Sequence, residues 1–446
     1  MDAVQIINFV VSTLFTVLLS YKIVIGIIGL FAKKRFPEAK KNHTFAVLIA
    51  GRNEEKVIGQ LIESIAATNY DKKLLSIFVV ADNCTDNTAK VAREAIEKAQ
   101  LHDGAVFERF NNEKIGKGYA LDFLLEKIRE RENFHEDEFD AFVIFDADNL
   151  LDANYFYEIN KALDAGYDVA TTYRNSKNFN TNTISANTGM MFLRECRFLH
   201  TPRAILNSST FVSGTGFMVS SKVLNTDTGW KYTTLTEDIE FSSCQIAKGR
   251  KITYCDDAIF YDEQPVTFKA SWNQRLRWQK GFYQCFSKCF LLLGSTFFSR
   301  HWFASYEMMV MIFPVSPVTL FWSVFYNIYL FIKYLVSAIP FMNSFFMYAI
   351  VGIVSSLIMG YILFFLYGML ILIMERKRVK CSFWKKIKYS LTFPIFMATY
   401  VPISIVCLFK KVKWKQIPHT DSRTIEDINK ADKAVVLKNN SETNDK

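Results

Sequence analysis

Apolar residues in this chain gather at its two ends, around a middle stretch patterned like a water-soluble domain, and that segregation constrains the fold more than any other feature. Ala3 to Tyr21 carries no charge; after Lys22 the chain stays apolar to Ala32 and then meets Lys33-Lys34-Arg35. Further uncharged stretches run from Met308 to Ile332, from Tyr334 to Met374 before Glu375-Arg376-Lys377-Arg378, and from Tyr389 to Phe409, the last interrupted by Pro394 and Pro402. A bilayer crossing takes about 20 residues. The first run therefore reads as one span, and the 308–374 block as two spans joined by a short outside loop near Lys333 and Pro340. No basic stretch precedes the first run and no small-residue cleavage pattern follows it, so an anchor is expected rather than a removed signal. Basic residues directly after it place the N-terminus outside and the following domain inside. By this count a further crossing at 389–409 leaves Lys410, Lys411, Lys413 and Lys415 outside, against the positive-inside rule. Either the Pro-broken segment is re-entrant or kinked, or the 308–374 block holds a different number of crossings.

Half of the residues are hydrophobic and 22% are charged, which excludes disorder, a collagen-like repeat and a disulfide miniprotein. The net charge of +9 arises beside the apolar runs, so the expected basic contact is a lipid bilayer and no nucleic acid. The eight cysteines are scattered without a CxxC pair, which indicates neither a zinc ribbon nor a disulfide framework. Reduced thiols in a cytosol-facing domain are expected.

Between the apolar ends, β-rich runs alternate with helical ones: 45–50, 74–82, 105–110 and 141–148 are strands, with helices from Glu54, Asp86, Gly116 and Asp152. The expected class is α/β, a mostly parallel sheet covered on both faces. Ligands of such sheets sit outside the carboxyl ends of the strands, and the polar motifs fall there. Gly51-Arg52-Asn53-Glu54-Glu55 follows the first strand, Asp82-Asn83-Cys84-Thr85-Asp86 the second, and Asp146-Ala147-Asp148 ends the fourth. Neither a dinucleotide fingerprint nor a P-loop is present.

Asp146 and Asp148 point the same way from an extended strand. Two like charges so placed fit a Mg²⁺ or Mn²⁺ ion shared with phosphate oxygens; the plainer alternative is a solvated turn with helix-capping aspartates. Thr236-Glu237-Asp238 opens a helix, either as dipole-compensating acids or as a general base for an acceptor hydroxyl. Gln274-Arg275-Leu276-Arg277-Trp278 offers guanidinium forks for a diphosphate and an apolar face for a sugar, or else a basic amphipathic helix on the membrane. Lys114-Ile115-Gly116-Lys117-Gly118 is a helix-opening loop able to approach phosphate. The segments Thr183–Leu206 and Thr267–Leu293, aromatic and Arg-bearing, are expected to lie along the membrane surface.

The ordered set NEE, strand-end Asp82, GKG, DAD, SGTG (213–216), TED and QRLRW, followed by apolar spans, resembles the membrane-embedded family 2 glycosyltransferases of the inverting, GT-A type. That group includes cellulose, chitin, hyaluronan and poly-N-acetylglucosamine synthases and bacterial exopolysaccharide transferases. The resemblance implies a Rossmann-like GT-A domain over 42–285, after a 1–41 anchor and basic linker. An interfacial helix at 286–302, a spanning region of two to three crossings at 303–410 and a cytoplasmic tail at 411–446 with a disordered end would follow. It implies that Asn53, Glu54 and Asp82 hold the uridine moiety of a UDP-sugar (UDP-N-acetylglucosamine or UDP-glucose), with Lys117 at the diphosphate. Asp146 would contact donor and metal, Asp148 the metal, and Gln274 and Arg277 the diphosphate. Gly214, Thr215, Gly216 and Trp278 would line the acceptor site, with Asp238, seconded by Glu237, as catalytic base and Mg²⁺ or Mn²⁺ as cofactor. The acceptor would be a glycan in exopolysaccharide or cell-surface polysaccharide synthesis, with polysaccharide-assembly proteins as partners. The synthases named have at least two spans ahead of the domain and this chain shows one, which keeps open single transfer to a polyprenyl-linked or lipid acceptor. A transporter or retired scaffold is the reading from another class. The intact Asp146, Asp148, Asp238 and Arg277 stand against it.

Overall fold

The computed structural model describes residues 2–31, 33–132, 134–336, 341–412 and 419–430. The chain enters through a long apolar helix, α1 (Ala3–Phe31), and then builds alternating elements. These are β1 (Phe45–Gly51), α2 (Ile58–Ala66), β2 (Leu75–Asp82), α3 (Thr88–Ala99), β3 (Asp103–Arg109), α4 (Lys117–Arg129) and β4 (Ala141–Asp146). The short β5 (Leu150–Leu151), α5 (Tyr155–Asp164) and β6 (Val169–Ser176) follow, then α6 (Thr183–Arg194) and α7 (Thr201–Ile205), joined by a π-type turn. β7 (Phe217–Ser220), α8 (Ser221–Thr226), α9 (Glu237–Ala247) and β8 (Ile252–Asp262) complete the sheet.

The eight strands lie in the order β3-β2-β1-β4-β7-β6-β8-β5. The first four pair in parallel; β1, β2 and β4 are the continuous apolar runs of strands covered on both faces, while β3 (DGAVFER) is the partly exposed edge. β7 enters antiparallel to both β4 and β6, and β5 antiparallel to β8, so the sheet as a whole is mixed. Strand alternation sends Leu48, Phe78 and Ile144 to one face, where α4 and α9 cover them with Leu121, Leu124 and Phe241. Val47, Ile49, Val143 and Phe145 go to the other face, under α2, α3 and α5. The helices after β1, β2 and β4 begin two to four residues later than the sequence pattern suggests. After β1 the cause is Asn53, whose positive φ of 56° bends residues 51–55 into a loop across the strand end.

From the sheet, α10 (Phe268–Gly294) runs unbroken through residue 285, and α11 (Trp302–Ile312), α12 (Val315–Val336) and α13 (Phe341–Met374) follow. The chain then forms α14 (Phe383–Ala398) and α15 (Tyr400–Phe409). Among the described residues three segments are long and apolar enough to cross a membrane: Ala3–Phe31, Val351–Met374 and Phe383–Phe409. A fourth arises if Trp302–Ile312 and Pro317–Lys333, bent by 63°, act as one. The bend lies at Phe313, which the following proline holds extended (ψ 135°).

Ion pairs set how these helices sit. The basic residues beyond α1 and α13 converge on one carboxylate of β8: Lys33 Nζ lies 2.6 Å and Arg378 Nη2 2.8 Å from Asp256. At the opposite end of α1, Asp2 pairs with Lys333 of α12, and Trp322 donates to Asn8 at 3.0 Å. Thus α12 runs away from the domain and α13 returns to it. The α14–α15 pair starts and finishes beside the domain. Lys380 accepts from Asn180 at 2.8 Å just ahead of it, and Lys280 of α10 donates to the carbonyl of Cys407 at 2.9 Å near its end. Between the two helices the backbone breaks at Thr399. There the Phe396 carbonyl accepts from the Thr399 hydroxyl at 2.6 Å and from Arg275 Nη1 at 3.2 Å, and the guanidinium lies 4.0 Å from the Phe396 ring.

Candidate active site

The ends of β1, β2 and β4, the start of α4, the loop before β7, the start of α9 and one face of α10 surround a cavity of about 970 Å³. Its floor is β4. Asp146, about one-third exposed, opens into the cavity, while the Asp148 side chain is only 3% exposed. Asp148 accepts from the Glu263 N–H at 3.1 Å, and its carbonyl accepts from buried Lys177 at 2.8 Å. Lys117, first residue of α4, pairs with Asp146 and donates to the Gly214 carbonyl at 2.8 Å. Gly118 behind it has no room for a side chain, since a Cβ would stand 1.9 Å from the Tyr232 carbonyl oxygen.

Glu237 and Asp238 open α9 and both line the cavity. Burial raises both carboxyls above the usual range, and the charge of Asp238 raises Glu237 further. Adjacent buried acids hold a proton between them more readily than two solvated ones, which is what a general base working near neutrality requires. Across the cavity, α10 presents Gln274, Arg277 and Trp278. The Gln274 Oε1 and Arg277 Nε atoms are buried without a hydrogen-bond partner. Burial lowers the Arg277 pKa, while Glu237 and Asp146 counter that effect through space. Trp278 packs edge-on against Phe192, with ring centroids 5.8 Å apart. Arg275, one residue from the cavity-facing Gln274, is instead fully buried at the α14–α15 break.

Other residues singled out from the sequence lie around or behind this cavity. Glu54 and Asp82 line it; Asp82 also pairs with Arg109 at 2.5 Å. The Asn53 Oδ1 accepts from the Thr85 N–H at 2.7 Å, which ties the β1 loop to the β2 loop. Gly214 is on the wall with φ +77°. Thr215 sits behind Asp146 and accepts its N–H at 2.8 Å, and Gly216 packs on Phe260, where a Cβ would lie 2.2 Å from the ring. The structure also brings in residues with no sequence signal of their own. Asp262 and Arg174 form a buried pair below Asp148, Arg174 Nε donating at 2.8 Å. His419, from beyond the last apolar helix, donates or accepts at 3.0 Å through Nδ1 with Glu54, and its Nε2 is 4.0 Å from Asp148.

The field here is strongly negative. Burial pushes Glu54 up to about 7, and Asp148 and Asp146 add to the rise against the pull of His419. Burial pushes Asp262 up to about 6, with Arg174 opposing and Asp148 adding. Burial alone would lower His419, but Asp148 and Glu54 outweigh it and raise the imidazole to about 10. Carboxylates pressed together this way fit a hard divalent cation. Among the described residues no three His, Cys, Asp or Glu side chains form a ready-made cage. Mg²⁺ and Mn²⁺ keep waters and take substrate phosphate oxygens beside one or two carboxylates.

The cavity changes character away from the carboxylates. Ile25 and Leu30 of α1, Met311 and Phe313 at the α11–α12 bend, and Tyr367 of α13 form its other end. Buried Arg203 and Glu307 pair there at 2.9 Å, and Lys22 faces the same space.

Residues 42–281 match the family described as Glycosyltransferase like family 2. The chain is similar to a probable glycosyltransferase YdaM of Bacillus subtilis, 28% identical over 244 residues, 53% of this chain and 54% of the relative. It is also similar to a beta-monoglucosyldiacylglycerol synthase of Synechocystis sp., 24% identical over 243 residues, 53% of this chain and 47% of the relative. The chain thus spans about half the length of the curated relatives it matches. Among solved structures, the mannosyltransferase PcManGT from Pyrobaculum calidifontis, in complex with GDP-Man and Mn²⁺, superposes with a TM-score of 0.52 at 13% identity. That match covers 91% of this chain and 99% of the other, and shows a shared GT-A-like fold.

Proposed function

From the premise that the chain belongs to the family described as Glycosyltransferase like family 2 and is a glycosyltransferase enzyme, we propose that it moves a sugar from a UDP-sugar to an acceptor carried on a lipid, with inversion at the anomeric carbon. One observation carries the acceptor assignment: a single cavity runs from the Asp146–Asp148 floor to a wall made by the apolar helices α1, α11 and α13. A water-borne acceptor needs no such wall. The similarity to a beta-monoglucosyldiacylglycerol synthase supports a lipid acceptor. Extension of a glycan in cell-surface polysaccharide synthesis is the second reading, favoured by Trp278, whose ring on the cavity wall suits a sugar face.

In this scheme Asp238 accepts the proton of the attacking acceptor hydroxyl, and Trp278 orients the ring or headgroup that bears it. Arg277 and Gln274, with buried unpartnered atoms at the cavity, meet the diphosphate as its bond to the sugar breaks, and Lys117 approaches it from α4. Asp148 and Asp146 would hold Mg²⁺ or Mn²⁺, which when bound supplies charge compensation to the leaving nucleotide. Glu54, Asp82 and the loop held by Asn53 border the nucleoside end. The domain and tail lie on the cytosolic side in this reading, because Lys33 and Arg378 end the two helices that dock on Asp256. Purified full-length protein incubated with Mn²⁺, a panel of UDP- and GDP-sugars and either diacylglycerol, polyprenyl phosphate or oligosaccharide tests the scheme. A single-sugar lipid product is expected; a water-soluble polymer would favour the second reading, and no transfer from any UDP-sugar would overturn the donor assignment.

A further inference from the structure

Lys22 is the one charge inside the long apolar helix α1. At about 1.5 Å per residue it lies about 28 Å along the helix from Ala3, close to the hydrocarbon thickness of a bilayer, about 30 Å. The Asp2–Lys333 pair marks the far end of the same helix. Lys22 therefore stands at headgroup depth on the side of the sheet domain, and it lines the cavity. A lysine at this depth ordinarily snorkels to the lipid surface. This one shares a wall with two arginines of the domain, and its ammonium has no hydrogen-bond or ion-pair partner among the described residues.

The arginines are Arg194, which ends α6, and Arg203 of α7. Together with Glu307 they are the charges that act on Lys22 through space. Arg203 is fixed: it is buried, meets Glu307 at 2.9 Å and donates to the Leu199 carbonyl at 2.7 Å. Arg194 is held less firmly. Its Nε is buried without a hydrogen-bond partner, and its ion pair with Glu195 is long, at 3.8 Å. Three cations thus face two acids in a wall otherwise built from Ile25, Leu30, Met311 and Phe313. Surplus positive charge in apolar surroundings is costly until an anion joins it.

The cluster also stands next to the chemistry. Glu195 accepts from the Ser213 hydroxyl at 3.2 Å. The next residue, Gly214, packs so near Asp238 that a Cβ on it would lie 3.9 Å from Oδ2.

We propose that Lys22, Arg194 and Arg203 form a phosphate site for the acceptor lipid, with Glu307 positioning Arg203. The lipid that fits carries its phosphate between its apolar chains and the hydroxyl that receives the sugar. Its chains lie against α1 and α13, its phosphate meets the three cations, and its hydroxyl reaches Asp238. The inference rests on the lipid-acceptor reading above and narrows it to phosphate-bearing lipids, which sets a neutral diacylglycerol aside. Glycerophospholipids and polyprenyl diphosphate sugars share this chemistry.

The test measures lipid binding to full-length protein in a neutral detergent by native mass spectrometry, without donor, and transfer separately in nanodiscs. The probes are phosphatidylglycerol, diacylglycerol with the same acyl chains, and a polyprenyl diphosphate-linked sugar. One of the two phosphate lipids should bind at one per chain and about 10-fold or more tighter than diacylglycerol; whichever does so identifies the source of the phosphate. Lys22→Gln and Arg194→Gln should each weaken that lipid about 10-fold, the size of one lost hydrogen bond to a charged group, and leave diacylglycerol binding where it was. Lys22→Arg should keep the wild-type preference, which a loss through misfolding would not allow. Diacylglycerol bound as well as either phosphate lipid would overturn the site. A preference unmoved in both glutamine variants would overturn it too, and would leave Lys22 as a snorkelling residue. No transfer to any lipid, with the phosphate preference and its loss in the variants intact, would uphold the site and overturn the acceptor reading it rests on.

Discussion

The two ends of the cavity are built by opposite means. At the carboxylate end, acids are crowded on a rigid strand edge and held by short, directional contacts: Asp146 by Lys117, Asp262 by Arg174, Glu54 by His419. At the other end most of the wall is apolar side chains of separate helices, with the buried Arg203–Glu307 pair and Lys22 among them, and position is set by a few ion pairs at the helix ends, such as Lys33 and Arg378 on Asp256. The contrast teaches where rigidity is spent. Charge development has to be met by groups already in place, whereas an apolar acceptor needs only a surface of the right character, since dispersion and burial are not directional.

Substitutions at the two ends should accordingly fail in different ways. The largest effect is expected from Asp148→Asn, which should abolish transfer and remove the Mn²⁺ dependence of UDP binding measured by calorimetry; Mn²⁺–UDP affinity equal to wild type would take the metal away from this residue. Next comes Asp238→Asn, expected to lower kcat by about 10²–10⁴-fold while donor and metal binding persist. If UDP binding were lost as well, the base would have to be sought at Glu237. The pH profile sharpens the same point. Both carboxyls are raised by burial, and Glu237 further by its neighbour's charge, so the rate should rise with pH as the pair loses its proton. Glu237→Gln removes the carboxyl that the Asp238 charge raises, and should take that ionisation out of the profile.

Trp278→Ala should act at the acceptor side, raising the acceptor KM and sparing slow hydrolysis of the donor by water; equal loss of both activities would join the two ends into one site. The smallest catalytic effect is expected from Asp256→Asn, far from the chemistry. It removes the anchor shared by Lys33 and Arg378 and should lower stability by up to about 3 kcal/mol, the low end for breaking a buried pair, seen as a fall in Tm. The Asp256 carboxyl is held below its usual range: burial raises it, but Arg378 and Lys33 outweigh that. Its contribution is therefore present above the unfolded value of 3.8 and lost as pH falls through the lower folded value. A wild-type Tm that drops on acidification more than that of Asp256→Asn would confirm the sign.

Much of the carboxylate end of the cavity was legible in the residues themselves. Apolar runs of strand length ending in Asp82 and Asp146-Ala147-Asp148 place acids at the carboxyl edge of a sheet through local patterning alone, and Glu237-Asp238 at a helix start follows from capping chemistry. The same local logic fails where a residue acts through packing. Thr215 and Gly216 read as acceptor wall from their motif, yet Thr215 braces the Asp146 backbone and Gly216 makes room for Phe260. Of the two arginines in QRLRW, only the helical phase of α10 decides that Arg277 faces the cavity and Arg275 the broken helix.

By itself the sequence determined the class of domain, its acidic strand edge and the apolar character of the flanking helices, because each depends on neighbours within a few positions. Tertiary structure alone decided the mixed half of the sheet, the return of α14–α15 to the side it left, and the meeting of Glu54 with His419, 365 positions apart. A contact across that distance leaves no periodicity and no spacing for a reader to find. It exists only because the helices between the two residues fold back on the sheet and deliver the tail to its edge.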